Sequence, residues 1–424
     1  MNGSSVQRTI DAIWRIESAK LIAGLARMVR DVGLAEDLAQ DALVIALERW
    51  PSTGIPDNPG AWLMTAAKRR AIDMMRRSKL RDQKYEEFGR GNDLYAEDDV
   101  DLAMDGEVGD DLLRLIFTTC HPVLSKEARV ALTLRLLGGL TTDEIAHAFL
   151  IGESTIAQRI VRAKRTLSAS RVAFEVPVGE ELKERLSTVL EVIYLMFNEG
   201  YTATSGGSWI RPLLCQEALR LGRILAEIAA GEPEVQGLVA LMEIQSSRFK
   251  TRVSAAGEPI LLMDQNRALW DQLLIRRGLA ALERARKLGR PLGPYALQAA
   301  ISACHAQART ASETDWARIA ALYEALSRVM PSPVVELNRA VAIAMAFGPA
   351  FGLQIVDELT AEPSMKEYHL LPSVRGDLLA KLGRIDEARF EFERAASLTR
   401  NTREQELLLK RAAECISTDS DLKK

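Results

Sequence analysis

This 424-residue sequence has few of the features that would mark a disulfide scaffold, a metalloprotein, a membrane protein or a sheet protein. Its cysteines, Cys120, Cys215, Cys304 and Cys415, lie far apart with no CxxC pair, which excludes a disulfide framework and fits a reducing compartment. Cys120-His121 and Cys304-His305 are adjacent pairs without further ligands at metal spacing, so no metal site is expected. No uncharged apolar run approaches the ~20 residues of a membrane span. The opening MNGSSVQRTIDAIW has no apolar signal-peptide core. A soluble cytoplasmic protein is therefore expected, with no membrane partner. Period-two alternation of β-branched residues is hard to find, which leaves an all-α fold. No acid pair, nucleophile triad or phosphate loop stands out. The stretch Asn198–Gly207 is glycine-rich but has no following lysine and no preceding strand, so it reads as a structural turn or contact surface. No enzymatic activity and no cofactor are expected.

What the chain does have is segregated charge. The net value of -3 conceals this, because basic and acidic residues occupy different stretches. Helical periodicity runs over Ile10–Val29, with Ile10, Ile13, Trp14, Leu21, Leu25 and Met28 as one apolar stripe, and again from Leu34 to Trp50. In the second helix Asp37, Gln40 and Asp41 form an exposed patch. Pro51–Pro59, with three prolines and a glycine, predicts a loop. The next helix, AWLMTAAKRRAIDMMRRSKLR, carries Lys68, Arg69, Arg70, Arg76, Arg77, Lys79 and Arg81 against the single Asp73. Such density suits phosphate neutralisation, and Trp62 beside it suits stacking on an unpaired base. Core packing is an equally good role for a lone tryptophan. From Glu86 to Asp111 the sign inverts, with eleven acids facing only Arg90, which predicts an extended tether.

The stretch Thr141–Leu167, TTDEIAHAFLIGESTIAQRIVRAKRTL, has the layout of a helix-turn-helix. Thr142 is the expected cap of its first helix and Ser154 of its second. Ile156, Ile160 and Ala163 mark the buried side of the second helix, while Thr155, Gln158, Arg159, Arg162 and Arg165 mark the other. No acid occurs from Ser154 to Arg171, as a helix entering a DNA groove requires. A helical hairpin with a solvated basic face is the plain alternative. Leu112–Leu137, interrupted at Pro122 and capped at Ser125, supplies two helices that pack with it into a four-helix domain. After Pro177 the chain is helical with mixed charge. Gly348 and Gly383, 35 residues apart, each separate a helix pair, and Gly383, Ala388 and Ala395 sit where a tetratricopeptide-like repeat needs close approach. Such pairs usually bind protein or peptide.

The residues AEDLAQDALVIALERW and NPGAWLMTAAKRRAIDMMRR, followed by LTLRLLGGLTTDEIAHAFLIGESTIAQRIVRAKRTL, resemble a bacterial RNA polymerase sigma factor of the extracytoplasmic-function group, which keeps only regions two and four. The remainder, including NEGYTATSG after Tyr-Leu-Met-Phe, resembles the helical extension of one subgroup. The resemblance implies region two over 8–80, an acidic linker over 81–110, region four over 111–172 and a helical extension over 178–424, its repeats clearest over 332–400. It implies core polymerase and promoter DNA as partners. Asp37, Leu38, Gln40 and Asp41 would dock on polymerase. The loop Trp50–Pro59 would capture a flipped base, and Trp62, Lys68, Arg69, Asp73, Arg76 and Arg77 would grip the -10 strand. Ser154, Thr155, Gln158, Arg159 and Arg162 would read the -35 element. Leu150 stands where the motif commonly has glycine, and Ala157-Gln158 replaces a more usual Lys-Ser pair. The expected function is alternative promoter recognition, regulated in cis by the extension, with a regulatory protein or peptide as a further partner. The alternative from another class is a ligand- or peptide-sensing helix-turn-helix regulator acting without polymerase.

Overall fold

The computed structural model describes residues 3–87, 108–149, 151–202, 212–254, 258–399 and 401–422. Among them regular structure is helical, apart from one isolated antiparallel bridge between Val253 and Pro259. The chain divides into two compact units, Met1–Ile193 and Tyr194–Lys424.

The first unit is built from α1 (Gly3–Val29), α2 (Val32–Thr53), α3 (Pro59–Glu87), α4 (Val108–Thr119), α5 (Lys126–Leu136), α6 (Thr142–Phe149), α7 (Glu153–Ala169) and the start of α8 (Gly179–Tyr201). Asp31 caps α2 by accepting the Leu34 N–H at 2.8 Å. The inner face of α2 is an alanine seam of Ala35, Ala39, Ala42 and Ala46, all fully buried with Leu38. These small residues let α1 and α3 cross α2 closely. In α1, Leu21, Ile22 and Leu25 are buried, but Ile13, Trp14 and Met28 are only half-buried, so its stripe is not continuous.

Several local expectations are corrected. Pro51 lies inside α2, which runs on to Thr53; in the last turn a missing N–H removes only one ladder bond, and Gly54 closes the helix at φ 85°. The loop expected over Trp50–Pro59 is therefore only residues 54–58. Helix α3 continues to Glu87, into the stretch assigned to the tether; residues 88–107 lie outside the described residues. Asp111, counted with the tether, is buried and pairs with Arg114 at 2.7 Å and Arg27 at 3.4 Å. The cap of α6 is Thr141, not Thr142: its hydroxyl accepts from Glu144 N at 3.1 Å while Glu144 Oε2 accepts from Thr141 N at 2.9 Å. Ser154 sits within the first turn of α7, whose N-cap is Gly152, with no side-chain bond. The turn residue Leu150 lies outside the described residues, whereas Ser125 caps α5 as expected.

The two basic modules are not held apart. Helix α1 packs on α4, and α2 meets α7. At that seam Glu36, 2% exposed, accepts from Arg135 Nε at 2.6 Å and pairs with Lys164.

In the second unit, α9 (Pro212–Ile228), α10 (Pro233–Ser246), α11 (Gln272–Lys287) and α12 (Pro294–Gln307) precede α13 (Trp316–Val329), α14 (Pro333–Phe347), α15 (Pro349–Leu359), α16 (Leu370–Lys381), α17 (Ile385–Leu398) and α18 (Thr402–Leu422). Helix α10 is buried almost all round, enclosed by α9, α11 and α12, with Glu243 paired to Arg223 of α9. A Cβ on Gly237 would stand 2.6 Å from the Ala296 backbone nitrogen, a spacing only glycine permits. The stretch expected to turn at Asn198 stays helical through Tyr201, whose ring stacks on Phe197 at 5.6 Å. Residues 203–207 of it lie outside the described residues.

Helices α14 with α15 and α16 with α17 form tetratricopeptide-like hairpins over a shared core that includes Leu337, Val356, Leu379 and Phe392. The close approach is made by Gly376 against Phe392 and Ala388, not by Gly383. Gly383 and Gly348 instead end helices at positive φ, 76° and 113°.

His305 is buried edge-on to Trp316, its carbonyl accepting from Arg267 Nη1 at 2.9 Å. Burial, with Arg248 and Arg267 nearby, pushes its imidazole down to about 3. The folded pKa lies below the unfolded value, so this contribution is complete above pH 6.5 and is lost as pH falls from 6.5 toward 3. By pH 5 the loss is about 2 kcal/mol. Thermal unfolding of His305→Gln from pH 7 to pH 5 is expected to lose correspondingly less stability than that of the parent chain.

Candidate nucleic-acid interfaces

The first candidate surface lies on α3. Helical geometry places Trp62, Thr65, Ala66, Arg69, Asp73 and Arg76 on one face, with Lys68 turned about 120° away. Trp62, Arg69 and Asp73 line a cleft of about 540 Å³, together with Arg49 and Ile45 from α2 and Arg70 from α3. Trp50 forms the floor behind it: 2% exposed, it meets the Trp62 ring edge-on at 5.3 Å. Trp62 therefore keeps one edge in the core and remains half-exposed, so packing and stacking are compatible in one side chain. Arg69, Arg76 and Arg77 are exposed, and among the described residues none of them is in an ion pair. Neither Lys68 nor Arg76 and Arg77 line the cleft, and the side chains of Lys79 and Arg81 lie outside the described residues. Arg49 was missed from sequence because it ends a helix read for its acids; its proximity to Trp62 exists only once α2 and α3 are packed.

The second surface is α7. Thr155, Gln158, Arg159 and Arg162 line a hollow of about 370 Å³ against Val123 and Ser125. Thr155, Gln158 and Arg162 are exposed and Arg159 is half-exposed, with no ion pair to any of them among the described residues. Ser154 is exposed but outside this hollow. Val161, 45% exposed on the same helix but outside this hollow, is an apolar side chain that charge-based reading passed over. An exposed helix carrying arginine, glutamine, threonine and one aliphatic side chain can hydrogen-bond base edges and touch a thymine methyl in a major groove.

The third surface, on α2, is less open than the sequence implied. Asp37 is exposed, but Leu38 is a core residue at 3% exposure. Gln40 donates to Glu36 at 2.7 Å, and Asp41 pairs with Arg70 at 2.7 Å. Among the described residues there is no group of acids, cysteines and histidines that could hold a metal, and no helix is long and apolar enough to cross a membrane.

Comparison with known proteins matches this layout. Sigma-70 region 2 matches residues 16–81, Sigma-70 region 4 matches residues 114–167, and a family of unknown function (DUF6596) matches residues 185–286. The uncharacterized protein R00370 of Rhizobium meliloti is 41% identical over 384 residues, 90% of each chain. The probable ECF RNA polymerase sigma factor SigI of Mycobacterium tuberculosis is 32% identical over 196 residues, 43% of this chain and 67% of that one. The ECF RNA polymerase sigma factor SigK of Mycobacterium ulcerans is 33% identical over 148 residues, 34% of this chain and 75% of that one. The crystal structure of yeast Tom70 superposes over 92% of this chain and 82% of that one at 11% identity and a TM-score of 0.37. With both sigma regions in order ahead of a long helical extension, this chain belongs to the extracytoplasmic-function group of sigma-70 RNA polymerase sigma factors.

Proposed function

We propose that this protein recruits core RNA polymerase to a narrow set of promoters, and that its C-terminal helices regulate it in cis. The observation that carries the promoter reading is the pairing of two different basic surfaces in one unit. The α3 cleft joins an aromatic ring to uncommitted arginines, which suits separated strands; the α7 face joins groove-reading side chains on an exposed helix, which suits a duplex. In this reading Trp62, Arg69, Asp73, Arg76 and Arg77 hold the -10 strand with Arg49, and Lys68 contributes charge from the flank. Thr155, Gln158, Arg159, Arg162 and Val161 read the -35 element, with Ser154 at its edge. Asp37, the exposed member of the α2 group, meets polymerase first, and Gln40 and Asp41 join it. Purified chain added to core polymerase is expected to direct specific transcripts from genomic fragments. A regulator acting on duplex DNA alone would bind those fragments without retaining polymerase in a pull-down.

The cis-regulatory part rests on length and connection. The extension outweighs the DNA modules, and its first helix begins within the first unit: Arg185 Nη2 donates to Phe117 O at 2.9 Å, and Glu191 pairs with Lys126 at 2.5 Å. A chain ended after Ile193 keeps both contacts. Its transcription is expected to differ from that of the full chain by about fivefold or more, the usual scale of coupling between sites. Equal transcription by the two would remove cis regulation from the reading. A protein or peptide bound by the hairpins would act through the same coupling.

A further inference from the structure

A further void in the first unit is neither DNA surface. It is a cleft of about 690 Å³ at the seam of α1, α2, α4 and α7, within the size range of small-molecule sites. Five cations line it, Arg27, Arg30, Arg114, Lys164 and Arg171, against two acids, Asp31 and Glu175. Arg27 and Arg114 share Asp111, and Lys164 pairs with Glu36. Asp31 is occupied in capping α2. Arg30 and Arg171 have no ion-pair partner among the described residues.

Those two arginines are also the only non-glycine residues, among those described, with positive φ, at 54° and 48°. Each follows the end of a helix, α1 or α7, where glycine is the unstrained choice. A helix C-terminus favours a cation, but any cation or glycine would serve there. What the two positions share is the cleft. Backbone strain borne twice, both times at an arginine that lines one void, points to an anion. Phe174, half-buried on the same wall, adds an aromatic face. The cleft is separate from the α7 surface assigned to promoter DNA, because none of Thr155, Gln158, Arg159 and Arg162 lines it.

We propose that this cleft binds a nucleotide, its polyphosphate held by Arg30 and Arg171 and its base set against Phe174. The ligand would touch α1 and α2 on one side and α4 and α7 on the other, so it would hold the two sigma modules in the packed arrangement. The site is independent of how the C-terminal helices act.

The test is calorimetric titration of the full chain with ATP, GTP and inorganic tripolyphosphate, alongside thermal melting. Saturable binding of a nucleotide is expected, tighter than that of tripolyphosphate. Arg30→Gly and Arg171→Gly should each weaken it tenfold or more while leaving the unliganded melting temperature unchanged or raised, since glycine suits both backbones. Phe174→Leu should bring nucleotide affinity down to that of tripolyphosphate. Absence of saturable binding by both nucleotides overturns the proposal. So does binding indifferent to both glycine variants, and so does a parent chain that binds tripolyphosphate as tightly as nucleotide. Competition by duplex DNA that persists in the double glycine variant would place the nucleotide on a DNA surface and overturn it as well.

Discussion

Arg159→Glu is expected to abolish promoter-dependent transcription while leaving affinity for core polymerase intact. Arg159 lines the α7 hollow with Gln158 and Arg162 and carries no ion pair among the described residues, so its charge is available to DNA. A good bidentate base contact is worth about 1–3 kcal/mol. Reversal also sets a carboxylate against the phosphates, so promoter occupancy should fall by about 100-fold or more. The surface assigned to polymerase lies on α2, which the substitution does not alter. Filter binding on promoter fragments and polymerase pull-down measure the two quantities separately. Normal transcription by this variant would remove α7 from promoter reading.

The second large effect is at Glu36. This carboxylate is buried and receives Arg135, Gln40 and Lys164. Removing one partner of a buried pair costs about 3–5 kcal/mol when the remaining charge stays dry. Arg135 and Lys164 keep 23% and 20% of their side chains exposed, so both can rehydrate. The expected loss for Glu36→Leu is therefore smaller, about 1–3 kcal/mol, seen as a lower urea midpoint. In a double-mutant cycle with Lys164→Met, the double variant should be more stable than the sum of the single losses predicts. Strict additivity would mean that the contact drawn between α2 and α7 is not an energetic link.

Some of this architecture was readable in order along the chain. Periodicity at Ile156, Ile160 and Ala163 placed α7, and the absence of acids from Ser154 to Arg171 marked its outer face. The density of arginine around Asp73 marked α3. The paired glycines Gly348 and Gly383 marked the hairpins, because positive φ is a local demand that only a few residues meet. Caps were harder. Thr141 and Thr142 are adjacent and chemically alike, and only the reciprocal bond with Glu144 separates them. Pro51 misled because a proline's cost depends on its place in the hydrogen-bond ladder, which composition does not show.

Sequence alone determined that the chain is helical and that two of its helices carry dense basic clusters with at most one acid among them, and it carries the sigma regions in order. The first two follow from spacing and composition within single elements; the third rests on the resemblance of those stretches to a known family. The fold decided everything that needs two elements at once: Arg49 beside Trp62, Asp111 inside the core, Glu36 closed against Lys164, and Arg30 and Arg171 brought to one cleft from positions 141 residues apart. A linear pattern records which face of a helix is apolar, but not which other helix will cover it, and burial changes a charge from solvated to paired only when that partner arrives.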